Sequence, residues 1–251
     1  MAYIQHFSHQ SSEYLQYRPM YPDELYEYLA SNTQNRDIAW DCATGNGQAA
    51  VKLADYFNKV IATDISQEQL DIAIRKENIY YECCLAEKTS IPSSTIDLIT
   101  IAQALHWFNF EEFYLEVNRI AKQDAMIAAW SYSLGKINST IDSVIEDLYE
   151  NILGDAYWPK ERRFIDDFYS NIPFPFKRIK TPKFKLQKIM NLEMVVGYLN
   201  TWSAVKEYQK QNSLNPVHLI KEELEKVWGD PKKEYVMEWP LHLLFGKVHD
   251  V

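Results

Sequence analysis

Residues 38–50, IAWDCATGNGQAA, run an apolar strand straight into a turn holding two of the chain's seven glycines, and then into a helix-forming stretch. Gly45 and Gly47 free the backbone for left-handed dihedrals and for close approach to a ligand. The helix start beyond them offers unbonded N–H groups and a partial positive end. Such a strand needs neighbours, and the sequence supplies them. Lys59–Asp64, Ile79–Leu85, Ile96–Gln103 and Ala125–Trp130 are short apolar runs. Between them Gln48–Phe57, Gln67–Lys76 and Glu111–Ala121 carry apolar residues at helical spacing. Strands with no wet face belong to a parallel sheet covered on both sides. The right-handed crossover rule makes that a doubly wound, mostly parallel α/β sheet.

After Gly135 the pattern changes. Ser139–Leu153, Pro159–Tyr169 and Val217–Val227 read as helices, Leu192–Gln209 as one or two more, and Lys183–Gln187 as a strand. The stretch Tyr235–Val248 is rich in β-forming residues, and Pro240 within it suggests an edge strand or a bulge. The second half therefore adds a helical cap and returns a strand to the sheet.

Hydrophobic residues make up 47% of the chain, enough for a core, and no run is long enough to span a membrane. With 35 acidic against 26 basic residues the net charge is −9, which argues against nucleic acid as partner. The N-terminal residues lack the basic flank and apolar stretch of a secretory signal. Cys42, Cys83 and Cys84 form neither a disulfide framework nor a CxxC metal spacing. A reducing cytoplasm and a small-molecule partner fit these features best, with no metal.

The strand after the turn ends on Asp64, and an acid there is the usual partner for the two hydroxyls of a ribose. Two cofactors compete for this arrangement. Gly45–Ala50 satisfies G-x-G-x-x-G/A, the dinucleotide fingerprint of NAD(P)-dependent oxidoreductases. Against it, Asp41 stands at the end of the first strand, giving D-x-A-x-G-x-G. An acid is awkward beside a pyrophosphate and well placed for an ammonium or a sulfonium. S-adenosylmethionine carries both.

Asp41–Gly47 resembles motif I of the class I S-adenosylmethionine-dependent methyltransferases, with Ala43 in place of the first glycine. Asp64 resembles the ribose-binding acid of motif II, Ile65 is placed to pack on the adenine, and Ala86-Glu87 matches the position that contacts the adenine edge. The segment DLITIAQALHWF, Asp97–Phe108, is similar to motif IV of a branch that includes trans-aconitate methyltransferase-like enzymes. Tyr14-x-x-Tyr17-Arg18-Pro19-x-Tyr21-Pro22 resembles the arm that closes over the cofactor in that branch. The resemblance implies a Rossmann-like methyltransferase fold divided into an arm (1–36), a cofactor-binding core (37–135), a cap shaping the substrate pocket (136–230) and a returning strand (231–251). It implies cofactor contacts from Tyr14, Arg18, Asp41, Ala43, Gly45, Gly47, Asp64, Ile65, Glu87 and Gln103.

Methyl transfer from a sulfonium needs alignment more than covalent help. Gln103 ends the fourth strand, where ligands bind in open α/β sheets, and can meet the methionine portion or the acceptor. Arg18 can pair with a carboxylate of either ligand. The family geometry brings His106 and Trp107 near the reacting groups. His106 can serve as a base for a hydroxyl or amine, whereas a carboxylate acceptor needs none; a structural histidine is the plainer alternative, and Trp107 reads equally as a core aromatic. No cysteine follows the fourth strand, and Ala102-Gln103-Ala104-Leu105 stands where amide and exocyclic-amine methyltransferases carry D/N-P-P-Y/F. Carboxyl O-methylation of a small acid is the sharpest expectation, beside an NAD(P)-dependent oxidoreductase or a non-catalytic cofactor-binding protein. The basic stretch from Lys177 to Lys188 alternates with apolar residues, as a solvated strand face does.

Overall fold

The computed structural model describes residues 16–249 and is built on one sheet. Strand β1 (Ile38–Cys42) lies between β2 (Lys59–Asp64) and β4 (Ile96–Ala102), parallel to both. Strand β3 (Ile79–Cys83) extends the sheet beyond β2, and β5 (Ala121–Tyr132) beyond β4, again in parallel. Neighbouring residues alternate between two cores. Ala39, Val60 and Leu98 pack with Leu25 and Leu29 of α1 (Asp23–Ser31) and Leu53 of α2 (Gln48–Leu53). On the opposite face Trp40, Ile99 and Ile127 pack with Phe113, Val117 and Ile120 of α4 (Phe110–Ile120). Between β2 and β3 runs the short α3 (Gln67–Asp71). Burial on both faces and helices on both sides make the doubly wound sheet that the sequence pattern implies.

Expected helices end early where side chains cap them. Arg75 donates to the Leu70 carbonyl (2.7 Å) and Asn78 to the Ala54 carbonyl (2.8 Å), so α3 and α2 stop well short of Lys76 and Phe57. The Pro159–Tyr169 expectation shrinks to α7 (Arg162–Asp166), because Phe168 and Tyr169 both turn left-handed at φ 57°.

Strand β8 (Tyr235–Lys247) corrects the edge-strand expectation. Its second half runs antiparallel to β5, from Leu241 opposite Tyr132 to Lys247 opposite Met126, and holds β6 (Lys177–Arg178) on its other side. Its first half pairs with β7 (Phe184–Met190). Pro240 is opposite Lys185 of β7 and just outside the β5 ladder, a place where a missing N–H costs little. Among the described residues the sheet order is β3-β2-β1-β4-β5-β8-β6.

The cap comprises α5 (Ser139–Asp147), which continues as a wider turn over Leu148–Leu153, then α6 (Gly154–Tyr157), α7, α8 (Leu192–Asn200), α9 (Ser203–Asn212) and α10 (Val217–Trp228). Ile141, Ile145, Val195, Leu199 and Leu224 bury against Leu186, Met237 and Trp239 of the β7–β8 hairpin. The alternating lysines are solvated or paired at the surface: Lys185 meets Glu238 at 2.8 Å. No helix among the described residues is long and apolar enough to cross a membrane.

Candidate active site

The turn after β1 is left-handed at three alternate residues: Ala43 (φ 53°), Gly45 (φ 56°) and Gly47 (φ 85°). The Thr44 N–H donates to the Thr63 carbonyl at the end of β2 (2.9 Å), and the Gly47 N–H to the Thr44 carbonyl (3.0 Å). A Cβ at Gly47 would sit 2.3 Å from the Tyr81 hydroxyl, so only glycine fits there. A Cβ at Gly45 would meet nothing nearer than Gln69 Oε1 at 3.9 Å, so the space beside that residue is open.

Two acids shape the turn. Asp41 is completely buried and accepts from the hydroxyls of Thr44 (2.5 Å) and Thr100 (2.8 Å). Burial raises its pKa to about 6 against the opposing pull of those bonds and of the Ala50 N–H. It therefore ties β1, β4 and α2 together from beneath the turn and does not face open space. Asp64 accepts the Gly45 N–H through Oδ2 (2.8 Å) and the Ser66 N–H through Oδ1 (2.9 Å). Burial raises its pKa, and these backbone bonds oppose the rise. With the Ile65 N–H a third backbone donor, the carboxylate still has room for a further donor. Ile65 beside it is exposed.

At the ends of β4 and β5 and in the middle of β8, four buried side-chain polar atoms have no hydrogen-bond partner among the described residues: Gln103 Oε1, Trp130 Nε1, Ser131 Oγ and His242 Nε2. Gln103 is left-handed (φ 57°), and its N–H donates to the Trp130 carbonyl (2.8 Å). Trp130 and Ser131 are consecutive on β5 and face opposite sides of the sheet, and an orphaned buried polar atom on either side calls for a ligand or water.

His106 follows on a single turn of 3-10 helix, Leu105–Trp107. It is buried, its Nδ1 lies 2.9 Å from the Tyr169 hydroxyl, and its ring packs on Trp107 at 4.8 Å. Burial, together with the charge of Arg162, pushes its pKa down to about 3. Arg162 lies over Trp158 (4.8 Å) and Tyr149 (5.4 Å), and both rings contact Trp202. Arg18 lies over Tyr198 (5.2 Å), the next ring in the same chain. The aromatic second half is thus a ring-to-ring wall between two guanidinium groups.

Of the residues expected at the site, Asp41, Ala43, Gly45, Gly47, Asp64 and Ile65 converge on the turn, and Gln103, His106 and Trp107 on the end of β4. Arg18 reaches Thr201 Oγ1 (2.8 Å), the Thr201 carbonyl (3.2 Å) and the Tyr132 hydroxyl (3.1 Å), joining the arm to β5 and the cap. Glu87 accepts the Asn109 N–H through Oε1 (3.0 Å) at the start of α4. Tyr14 lies outside the described residues. Sequence reasoning missed Thr44 and Thr100, which hold Asp41, and Ser131 and His242. Their signal is a polar residue inside an otherwise apolar strand.

These groups suit S-adenosylmethionine. Gln103 Oε1 is an acceptor lacking a donor, which an ammonium supplies, and the Asp64 oxygens have room for ribose hydroxyls. Asp41 and Asp64 both bond to residues of the turn, and their two carboxylates disfavour a pyrophosphate there.

A methyltransferase domain model matches residues 40–129. A Dictyostelium discoideum protein described as a methyltransferase is 38% identical over 244 residues, 94% of this chain and 92% of the relative. The solved structure of a protein from Anaeromyxobacter dehalogenans, described as a type II methyltransferase, matches with a TM-score of 0.86 at 32% identity, covering 93% of this chain and 99% of that one. A malonyl-(acyl-carrier protein) O-methyltransferase of Marinomonas sp. is 24% identical over 200 residues, 73% of this chain and 74% of the relative.

Proposed function

The chain belongs to the methyltransferase domain family, with S-adenosylmethionine as methyl donor, and from that premise we propose that it methylates a carboxylate oxygen of a small organic acid. The oxidoreductase reading of Gly45–Ala50 falls with that membership. The observation that carries the proposal is His106. With its Nδ1 engaged by Tyr169 and its pKa near 3, it is too weak a base to deprotonate a hydroxyl or an ammonium. A carboxylate is already ionised at neutral pH and needs no base. The Marinomonas relative supports the same chemistry, since its name records O-methylation of a malonyl group, whose free end is a carboxylate.

The bound cofactor supplies a methyl group on a cationic sulfur, open to in-line displacement. In this reading Asp64 accepts from the ribose hydroxyls, Ile65 covers one face of the adenine with Glu87 near its edge, and Gln103 Oε1 accepts from the ammonium. The turn from Ala43 to Gly47 lets the backbone approach the cofactor, held in shape from below by Asp41. Arg18 ties residues 16–36 to β5 and to the cap (136–230), which excludes water from the core (37–135). His106 and Trp107 position the acceptor, and the returning strand (231–251) completes the wall.

The test is methyl transfer from labelled S-adenosylmethionine to a panel of small dicarboxylates, phenols and amines. Methyl esters release methanol in mild base, whereas ethers and methylamines do not. Base-labile label with dicarboxylates is expected. Base-stable product, formed only with phenols or amines, would end the carboxylate reading.

A further inference from the structure

Ser131 and His242 stand directly opposite each other in the β5–β8 ladder, so their side chains rise from the same face of the sheet. Ser131 is completely buried, and neither its Oγ nor His242 Nε2 has a hydrogen-bond partner. Leaving such groups unpaired is costly, so a stable fold keeps them for a reason. The Tyr169 hydroxyl lies beside Ser131 and is itself joined to His106 at the end of β4. The pair is therefore continuous with the region where the acceptor must meet the cofactor.

A strained turn roofs the pair. Phe168 and Tyr169 are consecutive non-glycine residues at φ 57°, a conformation disfavoured for any residue with a Cβ. The Phe168 ring packs on the His242 imidazole at 4.5 Å while remaining 55% exposed. The half-exposed Phe168 ring thus stands between His242 and solvent, while the buried Tyr169 stays joined to His106.

We propose that Ser131 and His242 form an acceptor subsite beneath the Phe168–Tyr169 turn, and that they hold the carboxylate oxygen that is not methylated. The inference rests on the carboxylate reading above. A carboxylate only accepts hydrogen bonds, and the serine O–H and an imidazole N–H can both donate. Both donors are uncharged, since burial lowers the pKa of His242. Uncharged donors orient the acceptor without locking its charge into an ion pair, which leaves the second oxygen nucleophilic.

The experiment uses the full chain saturated with S-adenosylhomocysteine. Malonate, succinate and trans-aconitate are titrated separately while the His242 nitrogen resonances are followed. At least one acid is expected to shift the Nε2 resonance. Ser131→Ala and His242→Leu are each expected to weaken that acid about tenfold or more, a change of about 1.4 kcal/mol, with S-adenosylhomocysteine affinity within twofold of wild type. Ser131→Cys, which keeps the volume, replaces Ser131→Ala if that variant loses cofactor binding. An acid that binds without moving the His242 resonance, or binds the variants as well as wild type, overturns the subsite and leaves carboxyl methylation standing. If no acid binds, the subsite falls. Loss of the carboxylate reading itself is recognised separately, by base-stable product in the methyl-transfer assay.

Discussion

The Asp64 carboxylate accepts the Gly45 N–H at 2.8 Å, so the acid that ends β2 also holds the shape of the turn that leaves β1. One side chain thereby has two duties, and substitutions separate them. Asp64→Asn keeps an acceptor for one backbone N–H and loses the charge. It should fold and bind S-adenosylhomocysteine more weakly by about 1–3 kcal/mol. Asp64→Ala strands both N–H groups and should lower the melting temperature as well. Calorimetric titration beside thermal melts gives both numbers, and an Asn variant that binds at wild-type strength would remove Asp64 from the cofactor site.

Ala43 is left-handed where the related motif has glycine. Ala43→Gly relieves about 1–2 kcal/mol of backbone strain, offset in part by the greater freedom of glycine in the unfolded chain. A net gain of about 0.5–1 kcal/mol is expected, seen as a rise of roughly 1–4 °C in melting temperature. Cofactor affinity should hold or improve, because the Thr44 and Gly45 bonds are unchanged.

Two buried groups pull the acid stability in opposite directions. Burial raises Asp41 from 3.8 to about 6, so its contribution is fully present below pH 4 and is lost as pH rises through 6. Burial lowers His106 from 6.5 to about 3, so its contribution is present above pH 6.5 and is lost as pH falls toward 3. Each is on the order of 3 kcal/mol between pH 4 and 7, and together they nearly cancel. Urea midpoints should show His106→Gln gaining stability on acidification relative to wild type, and Asp41→Asn losing it. The same slope in all three proteins would refute this assignment.

Arg18 forks onto Thr201 and Tyr132. A lysine keeps the charge and loses the fork. Arg18→Lys should therefore resemble Arg18→Ala, with a loss of about 1.5–3 kcal/mol in stability and weaker cofactor retention. Full rescue by lysine in melting and titration experiments would show that charge, not the tether, is what matters.

The parallel strands and the glycine turn were legible because apolar runs, glycine spacing and strand-end acids are local signals. Partnerships across the chain were not. His106 meets a tyrosine 63 positions away, and only that contact and its burial turn a candidate base into a neutral fixture. Asp41 reads as a ligand-facing acid because nothing nearby in sequence announces that Thr100 will close over it. Ser131 and His242 lay in plain view within apolar strands, yet their importance appears only when β8 sets them opposite each other. Pro240 was misread for the same reason: an edge is a property of neighbouring strands, and β8 changes partners beside the proline.

That exchange of partners also governs the birth of the molecule. Strand β5 is finished at Tyr132, but its outer neighbour begins only at Tyr235. Until Tyr235–Lys247 leaves the ribosome, the nascent sheet carries an open edge of unpaired peptide groups, a template for other chains. The β7 strand and the cap helices wait on the same segment, since they dock against its first half. Completion of the sheet therefore waits on its latest strand, and the open edge persists through the hundred or so residues between Tyr132 and Tyr235.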